Sequence, residues 1–363
     1  MKRVLTSCVA WLLMVVSSAA EELPVARKLY VAAPGLRNYL EWGGAGILVF
    51  DIDRDHQFVK RIPVVGHSDV DKPSNVKGVV ASAVTQRIYF TTLQRLWCVD
   101  LLSEQKLWDK ELPGGCDRLA LTPDGGTLYV PSLEGPHWNV VDAATGDVRK
   151  SIVTNSGAHN TVAGLDGKSV YLAGLKSPLL RIVDTMRQEV VGECGPFSAA
   201  VRPFTVDAAQ SRVFVNVNDR LGFEVGDLKT GKVLHTVDVP GYKKGLVKRH
   251  GCPCHGIGLT PDASEVWLCD GHNQCLHVFD NRLSPPKYLQ TIKLFDDPGW
   301  VTFSLDGRFA YPSTLEVIDT RTRRVVAALQ DEQDRRVQSE KVVELQWRAG
   351  RVIRAGDQFG LGR

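Results

Sequence analysis

The chain has 363 residues, 44% of them hydrophobic and 23% charged, which supplies enough apolar material for a core and excludes a disordered or fibrous protein. A formal net charge of +3 excludes a nucleic-acid binder that works by overall charge, so any basic function must be local. After residue 20 no stretch offers the ~20 apolar residues that span a bilayer, and a soluble mature chain is expected. The 33 glycines and 18 prolines scatter evenly, which favours many short turns over a few long helices.

At the amino terminus, Lys2 and Arg3 precede an apolar run from Val9 to Val16, and Ser18-Ala19-Ala20 supplies the small residues that a signal peptidase reads. A signal peptide over residues 1–20 and a secreted, periplasmic or cell-envelope location are expected. Leu5-Thr6-Ser7-Cys8 stands before the apolar run, on the wrong side of it for a lipoprotein box. Cleavage removes Lys2, Arg3 and Cys8 and leaves one net positive charge and seven cysteines. With an odd number, at least one thiol stays free, binds a metal or pairs with another chain.

Self-similarity dominates the rest. Leu121-Thr122-Pro123-Asp124-Gly125 returns as Leu259-Thr260-Pro261-Asp262-Ala263, each followed by an aromatic five residues after the aspartate. Aromatics in short β-type runs fall at Tyr30, Tyr89, Tyr129, Tyr171, Phe214, Trp267 and Tyr311, spaced 59, 40, 42, 43, 53 and 44 apart. Apolar runs ending in aspartate give a second register at Asp51, Asp100, Asp142, Asp184, Asp227, Asp280 and Asp319. In four consecutive units, from Tyr129 to Trp267, the aromatic and the aspartate are 13 residues apart, which independent drift does not produce.

Each unit reads as an apolar strand, a turn of Asp-Gly type, an aromatic strand, a loop, a strand such as Trp138-Asn139-Val140-Val141, and a Thr/Val-rich outer strand. Four strands in about 40–45 residues make a β-propeller blade. The expected fold is therefore all-β: one seven-bladed propeller of four-stranded antiparallel blades over residues 21–363. A β-helix would need shorter, more uniform coils, and an immunoglobulin-type array units of ~100 residues. Tyr30 follows residue 20 too closely to have an inner strand of its own, while Val342-Val343-Glu344-Leu345-Gln346-Trp347 is an orphan at the other end. The two should join, so that a carboxyl-terminal strand closes the ring and removes exposed edges.

Tyr30-Val31-Ala32-Ala33, Tyr129-Val130-Pro131-Ser132 and Val140-Val141-Asp142-Ala143-Ala144-Thr145-Gly146 carry a family likeness. The chain resembles the YVTN family of bacterial β-propeller repeat proteins over roughly residues 26–360, and is distantly similar to lactonase-like and quinoprotein-type propellers. The resemblance implies architecture above all, because the motif consists of turn and packing residues. It also implies a surface-layer or cell-envelope setting, in which both binding and catalysis have precedent. The glycine and aspartate pattern departs most in the first, fifth and last units.

Successive strands of a meander alternate in direction, so the start of each inner strand and the loop after each aromatic strand share one face. Twelve residues before the aromatics stand Lys77, Asp117, His159, Arg202, His255 and Gly299, with Arg118, Asn160 and Trp300 beside them. Such a ring suits an anionic or sugar-like ligand, although any propeller lines its channel with solvated polar groups. The segment Gly241 to His250 adds Lys243, Lys244, Lys248 and Arg249 and should hang over the same face, attracting phosphate, carboxylate or an acidic polymer.

A cysteine and histidine cluster follows. His250, Cys252, Cys254 and His255 precede Cys269, His272 and Cys275, and the meander should bring both segments to one face of blade six. Thiolate and imidazole are ligands for a transition metal such as zinc or copper, while export favours a disulfide between the segments. The Cys-x-Cys and Cys-x5-Cys spacings do not match the common zinc knuckles, and Cys-Pro-Cys-His is one residue short of a haem attachment motif, so covalent c-type haem is not expected. Cys98, Cys116 and Cys194 lie in separate units and read as buried or individually paired.

No Gly-x-Ser-x-Gly, phosphate-binding glycine loop or His-Glu-x-x-His occurs. The expected function is to bind a ligand, or a protein partner of the envelope, on the funnel face of the central channel. The alternative is a propeller enzyme, a lactonase-like hydrolase or an oxidoreductase, that uses His159, His255 and Arg202 at the channel mouth with Asp117 orienting an imidazole. No nucleic-acid partner is expected.

Overall fold

The aspartate register has a local cause. Asp51, Asp100, Asp142, Asp184, Asp227, Asp280 and Asp319 each end the third strand of a blade, and the carboxylate accepts from backbone N–H groups two or three residues later. Asp142 accepts from Ala144 at 2.7 Å and Thr145 at 3.1 Å, Asp227 from Thr230 at 2.7 Å, and Asp319 from Thr322 at 2.8 Å. This side-chain cap closes the hairpin into the outer strand.

In the computed structural model, which describes residues 24–63 and 74–357, these hairpins build seven antiparallel sheets. The signal peptide expected over residues 1–20 lies outside the described residues. Blade two runs Gly78–Ser82, Arg87–Thr91, Arg95–Asp100, Lys106–Glu111, and blade three Ala120–Leu121, Thr127–Pro131, His137–Asp142, Val148–Val153. Blade four runs Ala158–Ala163, Ser169–Gly174, Leu180–Asp184, Glu189–Cys194, and blade five Val201–Val206, Arg212–Val217, Gly222–Asp227, Val233–Asp238. Blade six runs Ile257–Leu259, Glu265–Asp270, Cys275–Asp280, Lys287–Lys293, and blade seven Val301–Phe303, Phe309–Pro312, Glu316–Asp319, Arg324–Ala328.

Blade one is built from both ends of the chain, as the orphan strand implied. Val342–Arg348 is its inner strand and pairs with Ala26–Ala33, followed by Gly46–Asp51 and Gln57–Ile62. The sequence reading did not foresee a fifth strand here: Arg351–Ala355 adds to the channel side of Val342–Arg348. Gln86 of blade two fastens it, donating to Val352 O at 2.7 Å and accepting from Val352 N at 2.9 Å.

The core is divided among the blade contacts. Val80, Tyr89, Leu96 and Cys98 of blade two pack on Leu121, Leu128, Val130 and Val141 of blade three, and Phe223 and Val225 of blade five pack on Ile257, Leu259, Val266 and Leu268 of blade six. Between blades seven and one lie Tyr311 and Val317 against Leu29, Val31 and Leu48. The inner strand Gly78–Ser82 is buried apart from Ala81, whereas no residue of the outer strand Lys106–Glu111 is fully buried. Among the described residues no helix is long and apolar enough to cross a membrane.

Candidate functional site

A single rule of register builds the site. The aromatic of each second strand pairs with one inner-strand residue: Tyr30 with Val343, Tyr89 with Val80, Tyr129 with Ala120, Tyr171 with Val162, Phe214 with Thr205, Trp267 with Gly258 and Tyr311 with Thr302. Three residues before those partners stand Glu340, Lys77, Asp117, His159, Arg202, His255 and Gly299. Because the pairing repeats, these seven positions recur at one level around the channel.

Two of them are re-aimed by bulges. His159 is the extra residue between Ala158 and Asn160, and Arg202 with Pro203 opposes only Asn216. A bulge turns a side chain away from the ladder, and Pro203 has no N–H to give to it.

Lys77, Arg118, His159, Arg202 and His255 line one cavity of about 260 Å³, joined by Arg37, Asn75, Glu134, Arg249, His250, Glu340 and Lys341. Asp117, Asn160 and Trp300 stand behind its wall. Asp117 is fully buried, with Oδ2 2.5 Å from Nδ1 of His159 and Oδ1 3.3 Å from Nζ of Lys77. The Arg118 guanidinium lies 3.9 Å from the centre of the Trp300 ring and donates to Oε2 of Glu340. Asn160 is buried, and neither its amide oxygen nor its nitrogen finds a partner among the described residues.

Electrostatics give these groups distinct protonation states. Burial works against ionisation of Asp117, but His159, Lys77 and Arg118 outweigh it and hold the carboxyl at about 2. Burial lowers His159 below its ordinary value despite the Asp117 carboxylate; its Nδ1 donates to that carboxylate, and Nε2 has no hydrogen-bond partner among the described residues. His250 falls to about 4 and His255 well below the ordinary histidine range, both chiefly through burial. Their rings stack 4.0 Å apart. Burial also opposes ionisation of Glu340, yet Lys341 and Arg118 outweigh it and hold the carboxyl well below its ordinary value, while burial draws Lys341 down to about 7 against the pull of Glu340.

The cysteines of blade six do not join this cavity. Cys98, Cys116, Cys194, Cys252, Cys254, Cys269 and Cys275 are all buried free thiols, so the disulfide considered for the cluster is not formed. Cys252 donates to Cys254 O at 3.0 Å, and Cys275 lies 3.6 Å from Nε2 of His277. His272 sits apart, its Nδ1 3.1 Å from Leu246 O. Of the basic loop, Arg249 and His250 reach the cavity, whereas Lys244 is tied to Asp219 O and Lys248 is largely exposed beside Asp296.

Glu340, Lys341 and Arg37 were missed in the sequence. Glu340 had a usable signal: it lies three residues before the partner of Tyr30, the place that Lys77 holds before the partner of Tyr89. Counting back from Tyr30 along the chain cannot reach it, because its strand comes from the other terminus.

No family model matches the chain, and no curated protein matches it. Solved structures do. Hydrazine synthase from Kuenenia stuttgartiensis is 14% identical, with 69% of this chain and 94% of that chain covered at a TM-score of 0.46. The β-propeller domain of Cps50 (Swd1) from Myceliophteria thermophila is 10% identical, with 77% of this chain and 87% of that chain covered at a TM-score of 0.57. At such identity the second likeness is one of fold, and the chain is a seven-bladed β-propeller.

Proposed function

We propose that the protein is an exported, YVTN-type propeller that binds a small anionic, strongly hydrogen-bonding ligand in the ring cavity. Arg202 carries this reading: its guanidinium lines the cavity and, among the described residues, bonds only neutral oxygens, Asn218 Oδ1 at 2.5 Å and Gly251 O at 3.4 Å. Around it, Arg37, Lys77, Arg118, Arg249 and Lys341 face two lining carboxylates, Glu134 and Glu340, with Asp117 and Asp296 paired to Lys77 and Arg249 behind the wall. A cation held away from water gains most from an anion brought to it. Carboxylates and acidic sugars fit this chemistry, free or presented by an envelope partner.

Calorimetric titration with phosphate, citrate and galacturonate tests the proposal. Arg202→Ala and His159→Ala should each weaken the best binder by about 10–100-fold, the worth of a charge-assisted hydrogen bond, and Arg202→Ala should do so with little change in melting temperature. Binding that survives both substitutions, or that is lost instead on changing Asp124 and Asp306 at the opposite face, sinks it.

The Asp117–His159 pair favours one second reading, a hydrolase. A neutral imidazole oriented by a carboxylate, with Nε2 unpartnered, has the form of a general base. Turnover of simple lactones or esters that vanishes in His159→Ala would select it over binding alone.

A further inference from the structure

We propose that His250, His255 and Glu340 form a binding site for one divalent transition-metal ion, of the zinc and copper(II) class, in the wall of this cavity. One ligand atom from each lies within 4.8 Å of the other two. Nε2 of His250 stands 3.2 Å from Oε1 of Glu340, yet neither atom makes a hydrogen bond among the described residues. Close polar atoms that are not aligned on each other are placed to converge on a third point. A tetrahedral ion with bonds of about 2.0–2.2 Å sets its ligands roughly 3.4 Å apart.

Two of the three remaining atoms of the set are tied down as a metal site requires. His255 donates from Nδ1 to Gly299 O at 3.0 Å, which directs its Nε2 the other way. Oε2 of Glu340 is held by Arg118 and by Lys341 Nζ at 2.8 Å, leaving Oε1 to be offered. Partners of this kind fix ligand orientation. Gly299 keeps the space clear, since a Cβ there would overlap both Nε2 of His250 and Oε1 of Glu340.

A second close group, Asp270, Cys275 and His277, lacks this signature. His277 bonds Asp270 Oδ2 at 3.0 Å through Nε2 and Thr291 Oγ1 at 2.7 Å through Nδ1, so its polar atoms are already satisfied. The set His250, His255 and Glu340 also differs from the thiol-rich cluster read in the sequence: two imidazoles and a carboxylate suit zinc or copper(II), whereas thiolates draw softer ions. With three protein ligands, a fourth position stays open. The cations around the cavity favour an anion or hydroxide there.

The probe is the metal alone, so the outcome is read independently of the anion titration. Metal-stripped, full-length protein is dialysed against Zn2+ or Co2+ in chloride buffer, and bound metal is counted. The wild type should retain one equivalent. His250→Ala and His255→Ala should weaken retention by more than the about 10–100-fold that loss of an outer-shell partner costs, while His272→Ala and Cys275→Ala keep it. His250→Ala is decisive, because His250 lies in a loop outside the strands, and thermal melting confirms that the variant is folded. The Co2+ form should show visible bands without an intense sulfur charge-transfer band. No uptake by the wild type, uptake unchanged in both histidine variants, or a sulfur band lost with Cys275→Ala would each overturn the proposal.

Discussion

Nδ1 of His159 lies 2.5 Å from Oδ2 of Asp117, and this contact joins the inner strand of blade four to the start of blade three. The same carboxylate meets Lys77 of blade two at 3.3 Å, so one buried charge ties three consecutive blades. Asp117→Ala leaves the half-buried Lys77 ammonium without its counter-charge and a buried imidazole without its acceptor. Urea unfolding should show a loss of about 3–5 kcal/mol, the cost of breaking a buried pair from one side. A loss below about 1 kcal/mol, the worth of an exposed pair, would mean that the charge is not structural.

Ring closure should be separable from the added strand. Ending the chain after Arg336 removes Val342–Arg348, the partner of Ala26–Ala33, and cooperative melting should disappear. Ending it after Ala349 spares Val342–Arg348 and removes Arg351–Ala355 with its two bonds to Gln86, which should lower the melting temperature and leave the transition cooperative. Full thermal stability in the shorter chain would show that closure does not depend on this segment.

The thiols should be silent until the protein unfolds. Burial pushes Cys98, Cys252 and Cys275 up to about 12, and a buried thiol far from its thiolate is a poor nucleophile. A colorimetric thiol reagent should react with none of the seven described thiols in the native protein and with all seven after denaturation without reductant, Cys8 adding an eighth where residues 1–20 are retained. A denatured count lower by two or more would reveal disulfides.

Acid should loosen the seam between blades seven and one. His56 packs edge-on against Phe309, bonds Tyr311 Oη through Nε2 at 2.9 Å, and is lowered from 6.5 to about 4, first by burial and then by Arg27. Since the folded value lies below the unfolded one, the unfolded chain takes up the proton first. The contribution is complete above pH 6.5 and is lost as pH falls towards 4. A shift of this size corresponds to about 3 kcal/mol. Urea midpoints measured across that window should fall more steeply for the wild type than for His56→Gln, and equal slopes would remove His56 from the acid response.

The repeat by itself determined the blades. Tyr129 and Asp142 recur because each does the same local work in every unit, the ring in the seam between blades and the carboxylate on the N–H groups of Ala144 and Thr145. Interactions that short in range leave a period in the chain. The same period placed Lys77, Asp117, His159, Arg202 and His255 at one level, since strand register converts sequence distance into height.

Tertiary structure decided which of those side chains act together. Glu340 reaches the ring only because the last inner strand crosses to Tyr30, a pairing between chain ends that no local spacing encodes. His250 enters beside Gly299 from the loop before blade six, and the missing Cβ that admits it belongs to a different blade. The cysteines, neighbours of His250 and His255 in the chain, are buried elsewhere, Cys252 and Cys254 in the loop before the inner strand and Cys269 and Cys275 on the second and third strands of blade six. Proximity along the chain suggested a thiol site; the loops that lead into the inner strands of blades six and one instead bring two imidazoles and a carboxylate together.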